Sequence, residues 1–110
     1  MRDDQRRFER QDLSRLSLVV FVDDAYRRTG CDFVRTLDLS LGGVALRAKK
    51  PIPVGARLVL RLDRESGEPV IVAGEVRHAE QAEDGHHAGV EFVFPPRNVD
   101  LNAIIEAEAA

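Results

Sequence analysis

The sequence is poor in the residues that staple, anchor or stack a protein. Its one cysteine, Cys31, excludes an internal disulfide and fits a reducing cytoplasm. No apolar run approaches the ~20 residues of a membrane span, and the N-terminus shows no signal-peptide core. The chain is therefore expected to be soluble and cytoplasmic. Aromatic residues make up only 5% of it and the formal charge is −3. A duplex-DNA binder needs a broad basic face, and a single-strand binder needs stacking platforms. Both are disfavoured. Internal repeats and low-complexity tracts are also missing.

What is present is a globular composition. The 110 residues have room for one domain, 44% of them are hydrophobic, and 32% are charged. Arginine outnumbers lysine 14 to 2. Guanidinium groups suit bidentate contact with phosphate and with guanine. The charge is unevenly spread. Residues 1–15 hold Arg2, Arg6, Arg7, Arg10 and Arg15 against Asp3, Asp4, Glu9 and Asp12, a local +1, so the rest of the chain is −4. A local anion site is compatible with that distribution.

Period-two patterning dominates the middle of the chain. Leu16 to Val22 (LSLVVFV) reads as a strand, stopped by Asp23-Asp24. Asp23 to Gly30 is turn material, and a second strand is expected from Asp32 to Asp38. Ser40 to Gly43 is a tight connection. Val44, Leu46 and Ala48 alternate with Ala45 and Arg47 as a third strand, and Leu58, Leu60 and Leu62 mark a fourth. Val70, Val72 and Val76 line a fifth, interrupted by Gly74, which signals a bulge, a bend or a close approach. The polar turn Gln81 to Gly85 leads to a sixth strand with Ala88, Val90, Phe92 and Phe94 on one face. After Pro95-Pro96 the spacing of Leu101, Ile104 and Ile105 predicts a helix, with Asn98 as its N-cap. The fold class is mainly all-β: a six-stranded antiparallel barrel over residues 16–94, with a short C-terminal helix over 97–110 closing an end. Residues 1–15 precede it as a flexible arginine-rich segment.

Two motifs stand out. The first stretch contains Arg6-x-x-x-Arg10, and Asp38-x-Ser40-x-x-Gly43 follows roughly thirty residues later at the turn ending the second strand. Either alone is weak. Their order, separation and setting, with six strands, the GVEF run (Gly89 to Phe92) and a terminal helix, resemble the PilZ domain family over nearly the whole chain. The resemblance implies a bacterial, non-enzymatic receptor for the second messenger cyclic di-GMP. The implied ligand residues are Arg6, Arg10, Asp38, Ser40 and Gly43, with Arg7 as an auxiliary contact. Protein partners in motility, adhesion or exopolysaccharide machinery are the outputs it implies; no DNA and no cofactor are expected.

The residue chemistry agrees with that ligand. Cyclic di-GMP has two phosphodiester anions and two guanines. Arginine matches the N7 and O6 acceptors of guanine bidentately, and it also grips phosphate or stacks on a purine face. Asp38 can accept from guanine N–H groups, and Ser40 can donate to phosphate or accept from an amino group. Gly43, with Gly42, lets backbone turn and approach a ligand where a Cβ would collide. Two features depart from what the family offers. Gln5 stands where some members carry another arginine and hold a stacked ligand dimer, which tilts the expectation to one ligand per chain. His78 stands where a larger aromatic would otherwise flank a base.

Other constellations carry less. His78, His86 and His87 lack acidic or cysteine partners at ligand spacing, and adjacent histidines on a strand face opposite ways. Cys31 has no evident base and reads as a small buried thiol. Asp23-Asp24 reads as a turn cap. Gly42-Gly43 lacks the lysine of a P-loop. The alternatives to a receptor are an interaction module of the same shape that binds no nucleotide, and a small nucleic-acid-binding barrel.

Overall fold

A computed structural model describes residues 16–63 and 67–109. Six strands and one helix follow in chain order: β1 Leu16–Val22, β2 Arg28–Leu39, β3 Gly43–Ala48, β4 Arg57–Leu62, β5 Val70–Ala82, β6 Gly85–Val93 and α1 Leu101–Ala109. The strands close into an antiparallel barrel in the order β1-β2-β3-β6-β5-β4. The six-stranded barrel and the single terminal helix are those the sequence pattern predicts.

The core explains why some strands alternate and others read as solid apolar runs. Inside the barrel, Val19, Val34, Val44, Leu46, Leu58, Leu60, Val76 and Val90 pack together. A second cluster lies on the outer wall, where Leu18, Val20, Val22, Val59 and Ala73 meet Tyr26 and Ile105, with Leu101 and Ile104 against them. α1 covers β1, β4 and β5 there. It caps no end of the barrel, contrary to the expectation from sequence. A strand buried on both faces loses its alternation, so Leu18–Val22 of β1 and Leu58–Leu60 of β4 are continuous apolar stretches while β3 keeps strict alternation. Fully burying one such side chain is worth roughly 1.5–3 kcal/mol, which makes the outer seam as necessary as the interior.

Several local expectations are corrected. β2 begins at Arg28, because Asp23 closes the preceding turn in fewer residues than expected. Its Oδ1 accepts from the Ala25 and Arg27 amides, each at 2.9 Å. These bonds, that from the Arg27 amide foremost, hold the Asp23 carboxyl below its ordinary range. Tyr26 takes a left-handed φ of 60° there, its ring buried in the seam beneath the Arg57 guanidinium at 5.5 Å. β5 runs past Val76 to Ala82, and Glu83-Asp84 make the turn to Gly85. The N-cap of α1 is Asp100, whose Oδ1 accepts from the Ala103 amide at 3.2 Å; Asn98 lies outside the helix. Phe94 lies past the end of β6 and is fully exposed. Cys31 is exposed too; it pairs with Val20 and stands on the outer wall of β2, whereas α1 packs on β1, β4 and β5.

Candidate ligand-binding site

The chemistry-bearing turn lies on the wall opposite the helix seam. Two irregularities in strand pairing shape it. Between Thr36 and Asp38 the β2–β3 register slips by one residue, and between Val76 and His78 the β5–β6 register does the same. An extra residue reverses the facing of everything after it. Thr36 pairs with the buried Leu46 and points inward, but Asp38 pairs with Ala45 and points outward. In the same way Val76 pairs with the buried Val90, whereas His78 pairs with Gly89. Without these bulges Asp38 and His78 would be driven into an apolar core.

The consequence is a row across four strands. Asp38, Ala45, Gly89 and His78 are successive cross-strand partners on the outer wall. Neighbouring strands are about 4.8 Å apart, so the row spans about 14 Å. Its two ends carry polar side chains and its two middle positions are alanine and glycine. A flat floor results, with a wall at each end. Around it an open cleft of about 470 Å³ is lined by Asp38, Ser40, Gly42, Gly43, Arg77 and Glu91 among others. That volume is within the range of small-molecule sites.

The turn from β2 to β3 holds itself. The Ser40 amide donates to the Gly43 carbonyl at 3.0 Å, and the Ser40 hydroxyl donates to the same oxygen at 3.4 Å. The Phe92 amide donates to the Gly42 carbonyl at 2.9 Å, tying the turn to β6. Gly43 is needed for a reason different from the one expected. Its φ is not in the left-handed region; instead, a Cβ there would collide with the Val90 carbonyl. The close approach is to the neighbouring strand, and it sets the turn tightly against the cleft.

Arg77 lines the cleft although no motif in the sequence pointed to it. It is the extra residue of the β5 bulge. Its Nε donates to Glu91 Oε1 at 2.7 Å and its Nη1 to Glu75 Oε2 at 3.1 Å. The bond to Glu91, helped by the charge of Glu75, raises the Arg77 pKa further. Glu75 also lies 3.9 Å from Arg57, which lies 3.9 Å from Asp24. On the other side, Asp84 accepts from Arg47 at 3.2 Å and lies 2.8 Å from His87 Nε2. The His87 contact, then Arg47, lowers the Asp84 pKa. His78 lines the cleft, with Nε2 3.0 Å from Glu80. The structure thus brings Asp38, Ser40 and Gly43 together around one cleft. Arg6, Arg7 and Arg10 lie outside the described residues.

The match to known families decides what kind of domain carries this cleft. The family model described as PilZ domain matches residues 4–107. The chain belongs to the PilZ domain family. PilZ domains are receptor modules for cyclic di-GMP, not enzymes. No curated protein matches the chain. Among solved structures, it is similar to MrkH of K. pneumonia in its apo state, with 20% sequence identity and a TM-score of 0.50. That alignment covers 91% of this chain and 47% of the other, so this PilZ chain spans about half the length of that relative. At such identity the likeness speaks for the fold. Among the described residues no helix is long and apolar enough to cross a membrane.

Proposed function

We propose that this protein is a cytoplasmic receptor for cyclic di-GMP, binding one ligand per chain in the cleft between Asp38 and His78. The observation that carries this reading is the convergence of Asp38, Ser40 and Gly43 on one cleft with a floor of Ala45 and Gly89. A purine can lie flat on that floor. Asp38 accepts from the N–H groups on one guanine edge, Ser40 meets a phosphate oxygen or an amino group, and the glycine backbone admits the ring.

Charge explains why the N-terminal arginines belong to the site. Two carboxylates, Asp38 and Glu91, face one guanidinium, Arg77, in the cleft. A lining with more carboxylates than guanidinium groups does not by itself balance a ligand with two phosphate anions. Positive charge must arrive from outside it. Leu16 pairs with Arg35, and Asp38 lies three residues further along β2, towards the side from which the chain enters β1. The entry of the chain into β1 on that side supports Arg6 and Arg10 as the missing cations, with Arg7 auxiliary to them. They supply bidentate contacts to phosphate and to guanine N7 and O6. Binding orders residues 1–15 over the ligand and alters a surface that a partner protein reads. The ligand can drive that shift only through its different affinity for the two states. The family resemblance points to motility, adhesion or exopolysaccharide machinery as the partner.

Titration calorimetry with cyclic di-GMP, cyclic di-AMP and GTP tests the assignment. Saturable heat with cyclic di-GMP alone, at a stoichiometry of about one, is the expected result. Silence at tens of micromolar ligand, or equal binding of the adenine compound, would overturn it, because the guanine-edge contacts would then contribute nothing.

A further inference from the structure

The cleft contains an ion pair whose members have unequal support. Arg77 Nε donates to Glu91 Oε1 and its Nη1 donates to Glu75 Oε2. Glu75 has Arg57 as a second cation at 3.9 Å, while Arg77 is the one cationic partner of Glu91 among the described residues. Glu91 is the cross-strand partner of Gly43, so its carboxylate lies between the β2–β3 turn and Arg77. The side chains of Arg77 and Glu91 are each 54% exposed. An ion pair that open to water is weak and readily exchanged. A phosphate, by contrast, takes guanidinium donors bidentately, with a stronger charge-assisted contact than an exposed carboxylate pair.

We propose that Arg77 contacts a phosphate of the bound dinucleotide and that Glu91 competes for it in the free protein, so that this pair sets the affinity of the cleft. The inference rests on the cyclic di-GMP reading above. Glu75, anchored to Arg57, keeps the bulged arginine at the rim while Glu91 gives way. Glu91 also repels the incoming anion from beside Gly43. Removing its charge therefore lowers two obstacles together.

Calorimetry on the full chain, with cyclic di-GMP as the probe, separates this pair from the parent reading. Arg77→Ala should weaken binding roughly tenfold, as losing one charge-assisted contact does. Arg77→Lys, which keeps charge but loses the fork, should fall between it and wild type. Glu91→Gln should tighten binding roughly threefold or more, with the melting temperature of the free protein close to wild type. A merely structural pair would not give that gain. Wild-type affinity in Arg77→Ala, or weaker binding in Glu91→Gln, would overturn the inference while leaving the receptor reading intact. Absence of binding by the wild type would instead remove the receptor reading itself.

Discussion

Gly43→Ala should destabilise the protein by about 1–3 kcal/mol, the usual cost of overpacking, and lower its melting temperature by about 10 °C. The new Cβ would overlap the Val90 carbonyl oxygen and stand 3.2 Å from its carbon and 3.3 Å from the Glu91 Cα. All three are backbone atoms, so no rotamer change relieves the contact. β3 and β6 would have to part at the Gly43–Glu91 pair, disturbing the nearby bond from the Phe92 amide to the Gly42 carbonyl. Val90 belongs to the buried core, so the disturbance reaches the interior. The neighbouring Gly42→Ala is the natural control, because a Cβ there meets nothing within 4 Å. Urea denaturation of both variants checks this. Equal stabilities would mean that the strands can yield at Gly43 without cost.

Asp38→Ala and Arg10→Ala should each weaken cyclic di-GMP binding by roughly ten- to a hundredfold. A hydrogen bond to a charged group is worth about 1.5–3 kcal/mol, and about 1.4 kcal/mol corresponds to tenfold in affinity. Asp38 is the carboxylate at that end of the cleft floor, and arginine cannot replace it in reading guanine N–H groups. Arg10→Ala should leave the melting temperature of the free protein nearly unchanged, whereas Asp38→Ala carries some loss because the residue also ends a bulge. Unfolding of the Arg10→Ala variant would show that the arginine is structural and that its assignment to the ligand is wrong.

The barrel was legible because the chain writes its inward face in period two. Val44, Leu46 and Ala48, then Leu58, Leu60 and Leu62, are inward residues that alternate as expected. The ligand turn was legible from Asp38, Ser40 and Gly43 as a motif. The bulges were not assigned, although they left a trace. Inward positions are even-numbered at Val34 and Thr36 and odd at Leu39; they are even at Val72 and Val76 and odd at Ala79. That change of parity is the signal that could have brought Arg77 and His78 to the cleft. The seat of α1 is a different case. Its partners Leu18, Val20 and Val59 are intercalated with inward residues in unbroken apolar runs, and such runs do not say which neighbour covers the second face. Cys31 was misjudged for a related reason. Small apolar residues are usually buried, but α1 packs on β1, β4 and β5, and Cys31 stands on β2.

Hydrogen exchange read by mass spectrometry, on free and ligand-saturated protein, tests the central claim that cyclic di-GMP occupies this cleft beneath an arginine-bearing segment. Ordering a residue costs about 1–2 kcal/mol, and residues 1–12 have only Met1 and Phe8 as large apolar side chains. Without ligand they have little to offset that cost. The account predicts rapid exchange at Gln5 to Asp12 in the free protein and protection on adding ligand, together with new protection at Leu39 to Ala45 beside the cleft. Amides of Val70 to Val76 and of α1 should change little, since they belong to the preformed barrel and its helix seam. Equal protection of residues 5–12 in both states, or protection confined to the helix face with the cleft unchanged, would contradict it.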